Sequence, residues 1–150
     1  MNAGSNLNLQ DQIQMFRNGS IPPAPIAKLI GFTISSIGSG QATIEFEATE
    51  HHANPMGTLH GGVLCDISDA AMGLAYAGTL NEGESFTTLE LKINFLKPFW
   101  RGKLRAEGSV ASAGKTVGLV MCDVFDSKDR LVARASSTCM TLRGNMAEGR

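Results

Sequence analysis

The chain holds one long stretch of apolar residues at helical spacing and apolar–polar alternation over most of the rest. From residue 63 to residue 80 there is no proline, and Val63, Leu64, Ile67, Ala70, Ala71, Leu74 and Ala75 recur at helical intervals. The stretch predicts a long helix, almost wholly apolar and therefore buried. Asp66 and Asp69 are its only ionisable side chains apart from Cys65 and Tyr76. A carboxylate on a buried helix costs free energy unless something holds it. Such a conflict between a local rule and the fold marks a place to look for function.

Ahead of the helix, Asn54-Pro55-Met56-Gly57 is rich in turn formers, and Gly61 and Gly62 follow His60 where the helix would begin. Strands are predicted at 32–37 and 41–49, joined by a Gly38-Ser39-Gly40 hairpin turn. In the second strand Ala42, Ile44, Phe46 and Ala48 alternate with Thr43, Glu45, Glu47 and Thr49. Beyond the helix the pattern turns to strand at 87–97, 103–112, 115–125 and 130–142. The turns between these four are short, which predicts an antiparallel meander. Leu89, Leu91, Ile93 and Phe95 share one face of the first of them, and Thr88 falls on the other with Glu90 and Lys92. Upstream, 6–16 can form an amphipathic helix with Leu9, Ile13 and Phe16 on one side, and 26–30 a short helical turn closed by Gly31. The order is strand, strand, long helix, four strands. That order fits an α+β domain in which a curved sheet wraps one helix, and the second strand must pair with a later one.

Composition narrows the picture. At 150 residues and 43% hydrophobic, the chain is one domain with a real core. The net charge of −1 is scattered, with no basic stripe for nucleic acid and no acidic tail for a basic partner. Cys65, Cys122 and Cys139 lack disulfide or zinc spacing, which suits reduced thiols in a reducing, cytoplasmic setting. The first twenty residues are too polar for a signal peptide, and the central helix, with its two Asp, is not expected to cross a membrane. Residues 1–25 are expected to form a helical and Pro-rich lead-in, 26–142 the folded domain and 143–150 a flexible tail. His51, His52 and His60 lack metal-ligand spacing.

The pattern Asn54-x-x-Gly57-x-x-His60-Gly61-Gly62, followed by Asp69-x-Ala71, resembles the small hotdog-fold acyl-CoA thioesterases of the phenylacetate-pathway type. The run Thr-Leu-Glu-Leu-Lys-Ile-Asn-Phe-Leu-Lys-Pro at 88–98 and the hairpin around Ala113-Gly114-Lys115 are similar as well, so the resemblance covers 26–142. His60-Gly61-Gly62 alone is a weak motif; with Asn54 before it and Asp69 after it, the combination is specific. Asp66 departs from the small or hydroxylated residue expected there, and the 6–16 helix is an addition. The resemblance implies a single hotdog domain, a long central helix wrapped by a curved antiparallel sheet of about six strands. It implies hydrolysis of an acyl-CoA without metal or redox cofactor, and an active site shared across a homodimer, with dimers often pairing into tetramers.

Thioester hydrolysis needs donors where the carbonyl oxygen gains charge. It also needs a carboxylate that deprotonates water or attacks directly. Gly61 suits the first task, because the first N–H groups of a helix have no internal partner and the dipole favours negative charge there. Gly62 would let substrate approach beside it; the alternative is that both glycines serve only to pack the helix start. Asp69 suits the second task, yet it lies about 12 Å along the axis from Gly61. The resemblance resolves this by setting Asp69 of one subunit against Gly61 of the other, as general base or nucleophile. Asn54 would orient the carbonyl or the water, or simply form a turn. His60 would fix the loop or assist the carbonyl. The family places a hydroxyl beside the acid at the position of Thr88, although strand parity turns Thr88 away from the apolar face. Asp66 is the competing carboxylate, and Cys65 reads as a small buried side chain. Met72 and Phe95, with Met56, Leu59 and Phe99, are candidate acyl-pocket walls. Lys97, Arg101, Lys103 and Lys115, at strand ends or turns, are candidates for the CoA phosphates. Two other readings share the fold: a non-catalytic acyl-CoA-binding or sensing domain, and an enoyl hydratase or dehydratase.

Overall fold

The computed structural model describes residues 11, 13–15 and 18–149. Residues 11 and 13–15 are helical, and Ile13 is buried in the core; Leu9 and Phe16 of the helix expected at 6–16 lie outside the described residues. Helix α1, Pro25–Ile30, starts on its proline and is closed by Gly31 at φ 92°. Strands β1, Phe32–Gly38, and β2, Gln41–Ala48, form the predicted hairpin. The long helix α2 runs Gly61–Ala77. Four strands follow: β3 Ser85–Phe95, β4 Gly102–Ala113, β5 Val117–Asp126 and β6 Leu131–Leu142.

All six strands form one antiparallel, curved sheet in the order β1-β2-β4-β5-β6-β3, and α2 lies in its concave face. This is the hotdog architecture, and β2 pairs with a later strand, β4, as expected. The four-strand meander needs correction. Strands β4, β5 and β6 form one, but β3 pairs with β6 at the far edge of the sheet. With one edge of β4 taken by β2 and the other by β5, residues 96–101 act as a crossover instead of a hairpin turn. The crossover is pinned at both ends. Leu96 and Lys97 N–H donate to the Val132 carbonyl, and the Phe99 carbonyl accepts the Leu59 N–H at 2.7 Å.

A second correction concerns register. Thr88 stands opposite Cys139 and Glu90 opposite Thr138, so Leu89 is an extra residue, a β-bulge. The bulge inverts parity along β3. Thr88 faces α2, as do Leu91, Ile93 and Phe95 further on, while Leu89 is left 54% exposed.

Ile44, Ile67, Met72, Val120 and Val124 are fully buried between α2 and the sheet. Each such side chain contributes about 1.5–3 kcal/mol by leaving water. The helix lies close because the sheet gives way beneath it: a Cβ on Gly108 of β4 would overlap the Ala71 carbonyl of α2.

Candidate active site

The loop before α2 is closed by its own side chains. Asn54 Oδ1 accepts the Met56 and Thr58 N–H groups at 2.9 and 3.2 Å, and its Nδ2 donates to Thr58 Oγ1 at 2.8 Å. In the protomer Asn54 is thus occupied in shaping the 54–58 turn. His60 is the N-cap of α2, its Nδ1 accepting the Gly62 N–H at 2.9 Å. The Val63 N–H goes to the His60 carbonyl at 3.1 Å. Of the first three amides of α2, only that of Gly61 is left without an acceptor among the described residues. The Phe95 ring lies over Gly61, where an added Cβ would sit 2.8 Å from Phe95 Cζ. An amide aimed outward at the positive end of a helix, beneath an aromatic wall, suits an oxygen that gains negative charge.

Two turns along, the Thr88 hydroxyl donates to Asp69 Oδ1 at 3.3 Å. This contact exists because the bulge at Leu89 turns Thr88 inward. Burial of the Asp69 carboxyl raises its pKa, against the hydrogen bond from Thr88, which lowers it. Asp66 is raised too, by burial first and by the Asp69 charge second, and Thr88 bonds only Asp69 of the two. Burial, then the Asp66 and Asp69 charges, push the Cys65 thiol up and hold it protonated, a poor nucleophile. Strand β3 therefore runs antiparallel along α2, with Phe95 at Gly61, Thr88 at Asp69 and the Phe86 ring on Gly73.

A family model described as the thioesterase superfamily matches residues 56–133. The chain belongs to the thioesterase superfamily. A Saccharolobus solfataricus protein that carries an esterase name is 35% identical over 118 residues, spanning 79% of this chain and 84% of that one. The 1,4-dihydroxy-2-naphthoyl-CoA hydrolase of Listeria monocytogenes is 26% identical over 113 residues, 75% of this chain and 92% of its own. The solved structure of a phenylacetic acid degradation-related protein from Ralstonia eutropha fits with a TM-score of 0.78 at 29% identity, covering 85% and 98% of the two chains. Membership makes this chain a thioester hydrolase of the hotdog fold.

The remaining candidates of this thioesterase separate in space. Met72 is fully buried on the sheet side of α2, near Gly108 of β4. Lys97 and Arg101 stand near the start of α2, on the crossover. Lys115 lies in the β4–β5 turn beside Gly118, which packs on Tyr76 at the other end of α2. The sequence reading missed Trp100 and Arg130, which line one cleft with Lys97 and Arg101. The available signal was the chain's single Trp, set next to Arg101 in a turn. His52 is structural: Nδ1 accepts the Thr49 N–H at 3.0 Å, and Nε2 lies 3.1 Å from the Ile30 carbonyl.

Proposed function

We propose that this protein hydrolyses acyl-CoA to the free acid and CoA. The Gly61 N–H would receive the carbonyl oxygen, and Asp69 would act as general base or nucleophile. Both routes need the ionised carboxylate, and both build negative charge on the oxygen facing the helix N-terminus. The observation that carries the reading is the α2–β3 seam, with an unpaired amide at one end and a Thr88-bound carboxylate two turns along. The CoA thioester as substrate is supported by the name of the Listeria relative.

Within one chain Gly61 and Asp69 are about 12 Å apart along the helix. A second copy docked along the outer edge of β3, where Leu89 and Phe95 are exposed, would bring the Asp69 of one chain to the Gly61 of the other. We therefore assign a homodimer with two shared sites, with dimers pairing into a tetramer. We also place the protein in the cytoplasm. Free Cys65, Cys122 and Cys139 support that setting, and among the described residues no helix is long and apolar enough to cross a membrane.

The test is thiol release from a panel of aryl and aliphatic acyl-CoAs. Asp69→Asn should lower kcat by about a hundredfold or more and leave CoA binding in place. Undiminished turnover in the variant would remove Asp69 from the chemistry. Absence of release from every acyl-CoA, with binding retained, would favour a sensing domain.

A further inference from the structure

The crossover 96–101 and the β5–β6 turn enclose a cleft of about 370 Å³, within the range of small-ligand sites. Trp100 stands at it 55% exposed, and Lys97, Arg101 and Arg130 line it. Arg130 is held in place. Asp126, only 4% exposed, accepts the Lys128 and Arg130 N–H groups at 2.9 and 3.0 Å and takes the Arg130 guanidinium Nε at 2.7 Å. Arg101 has only a long contact, 3.9 Å, to Glu50, and Lys97 has no ion pair among the described residues. Set against Asp126 and Glu50, the three cations leave one positive charge in excess. The Leu59 N–H to Phe99 carbonyl bond joins this crossover to the residue before His60, so the cleft opens next to the start of α2.

We infer that this cleft receives the adenine nucleotide end of coenzyme A, with the base on the face of Trp100 and the phosphates on Lys97, Arg101 and Arg130. The inference rests on the acyl-CoA reading above and adds to it a place for the carrier. An exposed indole offers a π face to any purine, and guanidinium and ammonium groups recognise phosphate oxygens. The pantetheine arm would then run from the cleft along the crossover to the Gly61 amide. Lys115, at the far end of α2, takes no part in this protomer's cleft.

Trp100 is the only tryptophan in the chain, so its fluorescence reports on the cleft directly. Adenosine 3′,5′-bisphosphate titrated into the wild-type protein should change that fluorescence. The response should weaken in Lys97→Ala and Arg130→Ala and at high salt. The same acyl group is then presented on CoA and on pantetheine. Trp100→Ala should lower kcat/KM for the acyl-CoA about tenfold, the scale of one base–aromatic stack, chiefly through KM, and leave the pantetheine thioester unchanged. Trp100→Phe, which keeps a π face, should retain most of the CoA preference. A fluorescence blind to the bisphosphate overturns the inference, as does a loss shared equally by both thioesters. So does a bisphosphate that alters turnover of the pantetheine thioester, since that would make the cleft a regulatory site for free nucleotide. If neither thioester is hydrolysed, the proposed hydrolysis fails on its own account, and the fluorescence titration still decides the cleft.

Discussion

At Asp69 two influences oppose each other: burial raises the pKa and the Thr88 hydroxyl lowers it, with burial the larger. A working base or nucleophile must be ionised. Activity should therefore rise with pH through this raised pKa, with the acid limb of kcat/KM above the ordinary carboxylate range. Thr88→Val removes a donor to the ionised form, so the limb should move to higher pH; an unmoved or lowered limb would contradict the pairing. Stability carries the opposite sign. A folded pKa above the unfolded one means that folding disfavours ionised Asp69 at neutral pH. Asp69→Asn should accordingly melt no lower than wild type at pH 7, and lose that advantage as pH falls through the folded pKa towards the unfolded one. Gly61 is constrained from another side. Gly61→Ala puts a methyl 2.8 Å from Phe95 Cζ, an exposed ring that can swing away. The variant should fold, yet lose on the order of a hundredfold in kcat/KM from misplaced groups. Adding Phe95→Ala should recover part of that loss.

At the scale of elements, the helix–sheet contact depends on Gly108. The atom a side chain would strike there is the Ala71 backbone carbonyl, which cannot rotate aside. Gly108→Ala should cost about 1–3 kcal/mol or more in urea unfolding, with no direct effect on the site residues. The same elements show what the sequence conveys and what it hides. The apolar run of α2, its start at Gly61 and the alternation of β2 are legible because burial on one side imposes a period. The placement of β3 is not legible, since a turn of a few residues around Pro98 reads alike as a hairpin or as a crossover. The bulge is hidden for a sharper reason. The extra residue is Leu89, and Leu89, Leu91, Ile93 and Phe95 form an unbroken alternation that conceals the change of face between the first and the rest. The Thr88–Asp69 pair therefore emerges from the sequence only through family resemblance, against strand parity. The cleft at Trp100 joins residues 97–101 to Asp126 and Arg130, and no local pattern announces that meeting.

For the whole molecule, the proposed arrangement makes the protomer half an enzyme. Asp69→Asn and Gly61→Ala subunits should each form homodimers of little activity. Mixed after dissociation and reassociation, they should regain about a quarter of wild-type turnover, because half the dimers then hold one intact site. No recovery on mixing, with exchange verified by mass, would mean that each chain completes its own site. Strand β3 stands at the centre of this design. It is one edge of the sheet, the wall along α2 and the carrier of Thr88. Because a single extra residue sets which of its side chains face the helix, the site is exposed to a kind of genetic change that substitution scanning never samples. Loss of the one codon for Leu89 would leave a regular strand in which Thr88 and Phe95 still both face α2, whereas one codon gained between them would turn one of the two away.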